Sequence, residues 1–136
     1  MRTLLLLVTL GLAVCGDPQP FEPEIEVPLG ETFGLHVDQS AEVSGTPLRL
    51  RFAAVREDSR CPTDVACVWA GNARVRVDAA ASDLAEPLDL NTGLDPREVE
   101  FAGYRIGLEA LQPEPRSATA IRTEDYVAVL RVTRDP

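Results

Sequence analysis

The chain has no lysine, a single histidine and a single tryptophan in 136 residues. All thirteen basic residues are arginine, a bias of composition that names no function. His36 sits on the polar side of an alternating stretch beside Leu35 and Val37, where a solvated histidine is expected rather than a general base. There is no Gly-x-Ser-x-Gly elbow, no His-Glu-x-x-His, no phosphate-cradling glycine loop and no calcium-loop spacing. With one histidine and no second pair of cysteines, a zinc site is disfavoured too. Carboxylate pairs do occur, such as Glu57-Asp58 and Glu124-Asp125, but 22 acidic residues produce such pairs by chance. No catalytic residue, no metal and no cofactor is expected, so the chain is read as a non-enzyme.

Long apolar runs are missing as well. The longest spans Leu4 to Val14 behind Arg2, about eleven residues, too short to cross a bilayer as a helix. Its length and the leading positive charge are those of a secretory signal. Leu12-Ala13-Val14-Cys15 resembles the lipobox of bacterial lipoproteins, in which the cysteine becomes the lipidated first residue; Val14 departs from the small residue usual there. The alternative is ordinary cleavage after Cys15. Lipidation of Cys15 would tether an otherwise soluble domain. Either course removes Cys15 from disulfide chemistry. The formal charge is −9, and loss of Arg2 with the signal takes it to −10. Such a surface repels nucleic acid and anionic headgroups, so no nucleic acid is expected as partner and the membrane only through an N-terminal lipid.

Residues 1–15 are therefore read as signal peptide, 16–28 as a proline-rich acidic tether and 29–136 as one domain. The tether carries Asp17, Pro18, Pro20, Glu22, Pro23, Glu24, Glu26 and Pro28, which disfavours helix and buries little. Its end, Ile25 to Leu29, alternates in the manner of an edge strand. Beyond it the hydrophobic period is two nearly everywhere: Phe33, Leu35 and Val37; Leu48, Leu50, Phe52 and Ala54; Ala73, Val75 and Val77; Tyr104, Ile106 and Leu108; Ala128, Leu130 and Val132. Gly, Pro, Asn and Asp clusters separate these runs, among them Ala102-Gly103 and Pro113-Glu114-Pro115. The pattern predicts an all-β fold, an antiparallel sandwich or partly closed barrel of seven to nine short strands. Single helical turns are expected at most over 79–85 and 108–111. Val127 and Val129 oppose Leu130, so the last strand reads as apolar on both faces and central in its sheet.

Cys61 and Cys67, with five residues between them, read as a disulfide in an exported chain rather than as a redox dithiol of Cys-x-x-Cys spacing. On the chain-entropy model so short a loop adds about 2 kcal/mol. Counting by twos back from Val77 places Val75, Ala73, Gly71, Trp69 and Cys67 on one face. That count predicts Trp69 as a core anchor beside the bridge, burying on the order of 200 Å², so that its loss costs about 3–5 kcal/mol. The pinned loop holding Arg60, Pro62, Thr63 and Asp64 is the candidate recognition surface, since little ordering entropy remains to be lost on binding; the alternative is that Asp58, Ser59 and Arg60 pair with each other and cap the turn. A weak calcium site from Asp58, Asp64 and a loop carbonyl is the remaining metal reading.

Asp58-Ser59-Arg60-Cys61-Pro62, four residues, then Cys67-Val68-Trp69-Ala70-Gly71 resembles the signature of small bacterial exported proteins and lipoproteins of uncharacterised function. Tyr104-Arg105-Ile106-Gly107-Leu108 through Leu111 to Pro113 and Pro115, and Ile121 with Asp125-Tyr126, fit the same pattern. It covers about residues 30 to 133. The resemblance implies a compartment and a type of domain, and carries no activity or site residue with it.

Two functions follow as expectations. The first is a non-enzymatic, lipid-anchored envelope module that binds an unknown envelope or extracellular protein, or serves structurally. The second is an inhibitor of an exported trypsin-like protease that presents Arg60.

Overall fold

The computed structural model describes residues 23–136. The signal segment, Cys15 and the tether as far as residue 22 lie outside the described residues. Nine strands form two sheets: β1 Ile25–Val27, β2 Thr32–His36, β3 Ser40–Val43, β4 Leu48–Asp58, β5 Ala73–Ala81, β6 Leu84–Asn91, β7 Glu98–Phe101, β8 Tyr104–Gln112 and β9 Val127–Arg134. One sheet has the order β1-β3-β4-β5-β6, the other β2-β9-β8-β7, so the fold is an open sandwich and no barrel closes. Every pairing is antiparallel except that of β1 with β3, which run parallel.

The alternation in the sequence explains which face of each strand turns inward. Leu48, Leu50 and Phe52 of β4 meet Val75 and Val77 of β5 and Leu90 of β6, all fully buried. From the second sheet come Leu35, Ile106, Leu111, Leu130 and Val132. β9 lies between β2 and β8. This is the central position that apolar residues on both faces require, and Val127 and Val129 are half-buried on the outer side. β1 falls inside the segment read as a tether and forms an edge strand there, with Pro28 just beyond its last residue.

Two expected helical turns are strand instead. Ala79 to Ala81 complete β5, and Leu84 and Ala85 pair back on them in a hairpin. Leu108 to Leu111 belong to β8, with a register shift between Leu108 and Ala110. In each case cross-strand pairing along a whole sheet outweighs a helical preference too short to nucleate. Among the described residues the helical content is one 3-10 turn, Thr123–Asp125.

Candidate functional site

β4 and β5 are neighbours joined by residues 59–72, which leave the end of the five-stranded sheet as a long loop. Its neck is tied by backbone and hydroxyl bonds. Ser59 N donates to Asn72 O at 2.7 Å, Ser59 Oγ donates to the same oxygen at 2.9 Å, and Cys61 N donates to Ala70 O at 2.9 Å. Cys61 and Cys67 are disulfide-bonded, with Cα atoms 5.9 Å apart. The loop closes as expected, but it faces elsewhere than the count by twos requires.

Trp69 is 81% exposed and Val68 89% exposed. Trp69 is therefore not a core anchor. Cys67 is exposed and Cys61 half-buried, so the bridge also lies outside the sandwich interior. The reason is Gly71, whose φ of +72° is left-handed. It turns the chain out of the strand, and the period of two begins only at Ala73, the first residue of β5. No side chain fits at that point: a Cβ on Gly71 would overlap the Ser59 carbonyl and lie 2.8 Å from the Arg60 Cα. A glycine here is required by both conformation and space.

Arg60 points the other way, into the molecule. Its side chain is 9% exposed and that of Asp58 12%. Nε donates to Asp58 Oδ1 at 2.8 Å and Nη2 donates to Asp58 Oδ2 at 2.7 Å. The same guanidinium donates to the carbonyl of Leu111 through Nη1 and to that of Pro113 through Nη2 at 3.1 Å. The Tyr126 hydroxyl donates to Asp58 Oδ2 at 3.0 Å. Burial pushes the Asp58 carboxyl up, but the bonds and charge of Arg60 outweigh it and hold the group below its ordinary value. Burial and the Asp58 carboxylate together push the Tyr126 phenol up.

Arg60 is consequently a clasp between the loop and the end of β8. A residue engaged on all sides cannot enter the specificity pocket of a protease, and the inhibitor reading loses the side chain it depends on.

The other polar residues of the expected recognition loop are also turned to internal use. Thr63 N donates to Pro115 O at 2.9 Å. Asp64 accepts from Ser117 N at 2.9 Å and from Ser117 Oγ at 2.7 Å, and these two bonds hold its carboxyl below the ordinary range. Pro62 is half-buried beside them. Asp58 and Asp64 thus serve separate clasps, and among the described residues no group of three His, Cys, Asp or Glu is arranged to hold a metal. The loop between β8 and β9 supplies most of the partners: Pro113, Pro115 and Ser117, with Tyr126 at its far end. The prolines and the tyrosine belong to the stretches that carry the resemblance, which the structure brings to one place.

The far limb, Val65 to Ala70, is exposed throughout, as are Thr63 and Asp64 beside it. Val65 is 46% exposed, and with Val68 and Trp69 it makes an apolar knob on a loop that is cross-linked at its base and clasped along one side. Sequence reasoning assigned recognition to the polar limb and packing to the apolar one. The structure leaves Trp69 in water and turns the Arg60 side chain inward onto Asp58, the pairing that the alternative reading of this segment expects. His36 is exposed at the end of β2, where its backbone N donates to Gln39 Oε1 at 3.1 Å.

No family model, no curated protein and no solved structure matches the chain significantly.

Proposed function

We propose that this protein is an exported binding module of the bacterial envelope, tethered through lipidated Cys15, that engages a partner protein by inserting Val68 and Trp69 into an apolar pocket. The observation that carries the reading is the 81% exposure of the chain's one tryptophan on a loop braced by a disulfide and two clasps. An exposed indole costs solubility without a return in folding, and tryptophan is the residue most enriched among binding hot spots. The bracing lowers the ordering entropy that association must otherwise overcome.

The occupant is taken to be a protein with a basic rim around its pocket, because this chain carries −9 and would repel an anionic surface. Val65, Val68 and Trp69 together form a small contact, suited to a transient complex with one dominant anchor. The Cys61–Cys67 disulfide accords with an oxidising compartment. Among the described residues no helix is long and apolar enough to cross a membrane.

The test is site-specific photocrosslinking in cells of the source organism, with the probe at Val68 and a control probe at Glu86, an exposed residue of β6. A discrete protein adduct at position 68, absent at 86 and lost in Trp69→Ala, supports the reading. Trp69→Ala should melt within about 0.5 kcal/mol of the parent, as an exposed residue does. Adducts with lipid alone, or a protein adduct indifferent to Trp69→Ala, overturn it.

A further inference from the structure

The two limbs of the cross-linked loop are held very differently. The limb from Asp58 to Asp64 is fastened by Arg60 to Asp58, Leu111 and Pro113, by Thr63 to Pro115, and by Asp64 to Ser117. The limb from Cys67 to Ala70 has the disulfide, the bond from Cys61 N to Ala70 O at 2.9 Å, and the left-handed Gly71 at its root. Cys67 is itself exposed, so an attacking thiol reaches the bridge without opening the sandwich. The Cys61 sulfur lies 3.5 Å from the Pro62 carbonyl oxygen and 3.7 Å from that of Val65. Only a reduced Cys61 has a proton to donate to either.

From this asymmetry we propose that the Cys61–Cys67 disulfide is a redox latch on the Val68–Trp69 knob, opened by a dithiol oxidoreductase and not required for the sandwich itself. The proposal rests on the binding reading above for its consequence, though the latch stands on the structure alone. In the opening step a thiolate of the reductant attacks the Cys67 sulfur. A mixed disulfide forms and Cys61 leaves as thiolate, takes up a proton from solvent, and as a thiol hydrogen-bonds to the carbonyl of Pro62 or Val65. The second thiol of the reductant then gives up its proton to solvent and attacks the reductant's own sulfur in the mixed disulfide. Cys67 leaves as thiolate, takes up a proton, and the reductant departs as a cyclic disulfide. Two electrons pass from the dithiol to the cystine, and no other oxidant or reductant is consumed.

Once open, the 58–64 limb stays clasped, while 67–70 swings on Gly71 with one backbone bond to restrain it. The knob then loses the preorganisation on which its affinity depends. Oxidised protein binds; reduced protein keeps the sandwich fold, less stable by the loop-closure contribution, and binds weakly.

Trp69 is the chain's one tryptophan, so its fluorescence reports on this limb alone. The folded protein is treated with a thioredoxin-type dithiol protein and its recycling system, and three quantities are followed: alkylatable thiols by mass, Trp69 anisotropy, and amide exchange along the chain. Two thiols should appear, anisotropy should fall, and exchange should rise about tenfold or more over 65–70 while β4, β5, β8 and β9 stay protected. A Cys61→Ser/Cys67→Ser double variant should reproduce the reduced state. Thiols that stay inaccessible until the protein unfolds, or unfolding of both sheets on reduction, overturn the latch. The crosslink at Val68 should fall several-fold on reduction. An undiminished crosslink from a limb shown to be loosened overturns the redox control but leaves the binding reading intact, whereas indifference to Trp69→Ala removes the binding reading and leaves the latch.

Discussion

Asp58 grips Arg60 two residues along the chain through both carboxylate oxygens, at 2.8 and 2.7 Å, and so aims the guanidinium at backbone carbonyls more than fifty residues away. Because both side chains are largely withdrawn from water, neither is well tolerated alone. Arg60→Ala strands a carboxylate beside Tyr126 and leaves two carbonyls without their donor. The expected cost is about 2–3 kcal/mol in a denaturant melt, below the loss seen for fully buried pairs because a tenth of each side chain is still wet. A variant that melts with the parent would show the clasp to be idle.

Acid should weaken the same clasp. The Asp58 carboxyl is held below its ordinary value of 3.8, as are those of Asp64, Asp89 and Asp125. A depressed carboxyl contributes stability that is fully present above its unfolded value and is lost as pH falls through the folded one. Stability should therefore be level through neutral and mildly acid pH and decline below about 4. In Asp58→Asn the decline should be shallower. At the alkaline end the sign reverses: the Tyr126 phenol is raised above 10.0, so its contribution is present below that pH and disappears as pH climbs through the folded value. Tyr126→Phe should flatten the alkaline limb of a melting-temperature profile.

Gly71 and Gly45 share the left-handed conformation, with φ of +72° and +71°, but not the space around it. A Cβ at Gly45 meets nothing within 4 Å, while one at Gly71 overlaps the Ser59 carbonyl. Gly45→Ala should thus cost only the conformational strain, about 1–2 kcal/mol. Gly71→Ala must also push the two sides of the loop neck apart, and should cost clearly more and disturb the amide signals of Ser59 and Arg60. Equal penalties from the two substitutions in calorimetry would contradict the tight neck.

The β7–β8 hairpin turns on Ala102 and Gly103, both with positive φ, 51° and 80°. This is the type I′ geometry that favours asparagine before glycine, and alanine tolerates it poorly. Ala102→Asn should raise stability by about 0.5–1 kcal/mol, an increase of a few degrees in melting temperature, because Ala102 is exposed and the substitution disturbs no packing. A fall in melting temperature would mean that the hairpin tightens in some other way.

Much of this architecture is legible along the chain. Leu48, Leu50 and Phe52, then Ala73, Val75 and Val77, announce strands with one buried face, and the doubly apolar last strand announces its place in the middle of a sheet. These are local periodicities, and burial of a sheet face rewards them directly. The two cysteines announce their bridge for a similar reason, since six positions of separation leave few ways to be apart. What the chain conceals is direction. Gly71 looks like a strand position in register with Trp69, and its left-handed turn follows only from the contact with Ser59 that the tied neck creates. The destination of Arg60 is concealed more deeply. Beyond Asp58 its hydrogen-bond partners are backbone carbonyls of Leu111 and Pro113, which every residue type possesses and no side-chain pattern marks, with the exposed Glu114 carboxylate an outlying ion-pair partner at 4.0 Å.

Composition, period and cysteine spacing determined that the chain makes an acidic all-β domain with a cross-linked loop, because hydrophobic burial and loop closure act on neighbours in sequence. Only the tertiary structure decided which limb of that loop meets solvent. That choice turns on carbonyls more than fifty residues distant and on one glycine's handedness, and it leaves the tryptophan facing water and the arginine facing the protein.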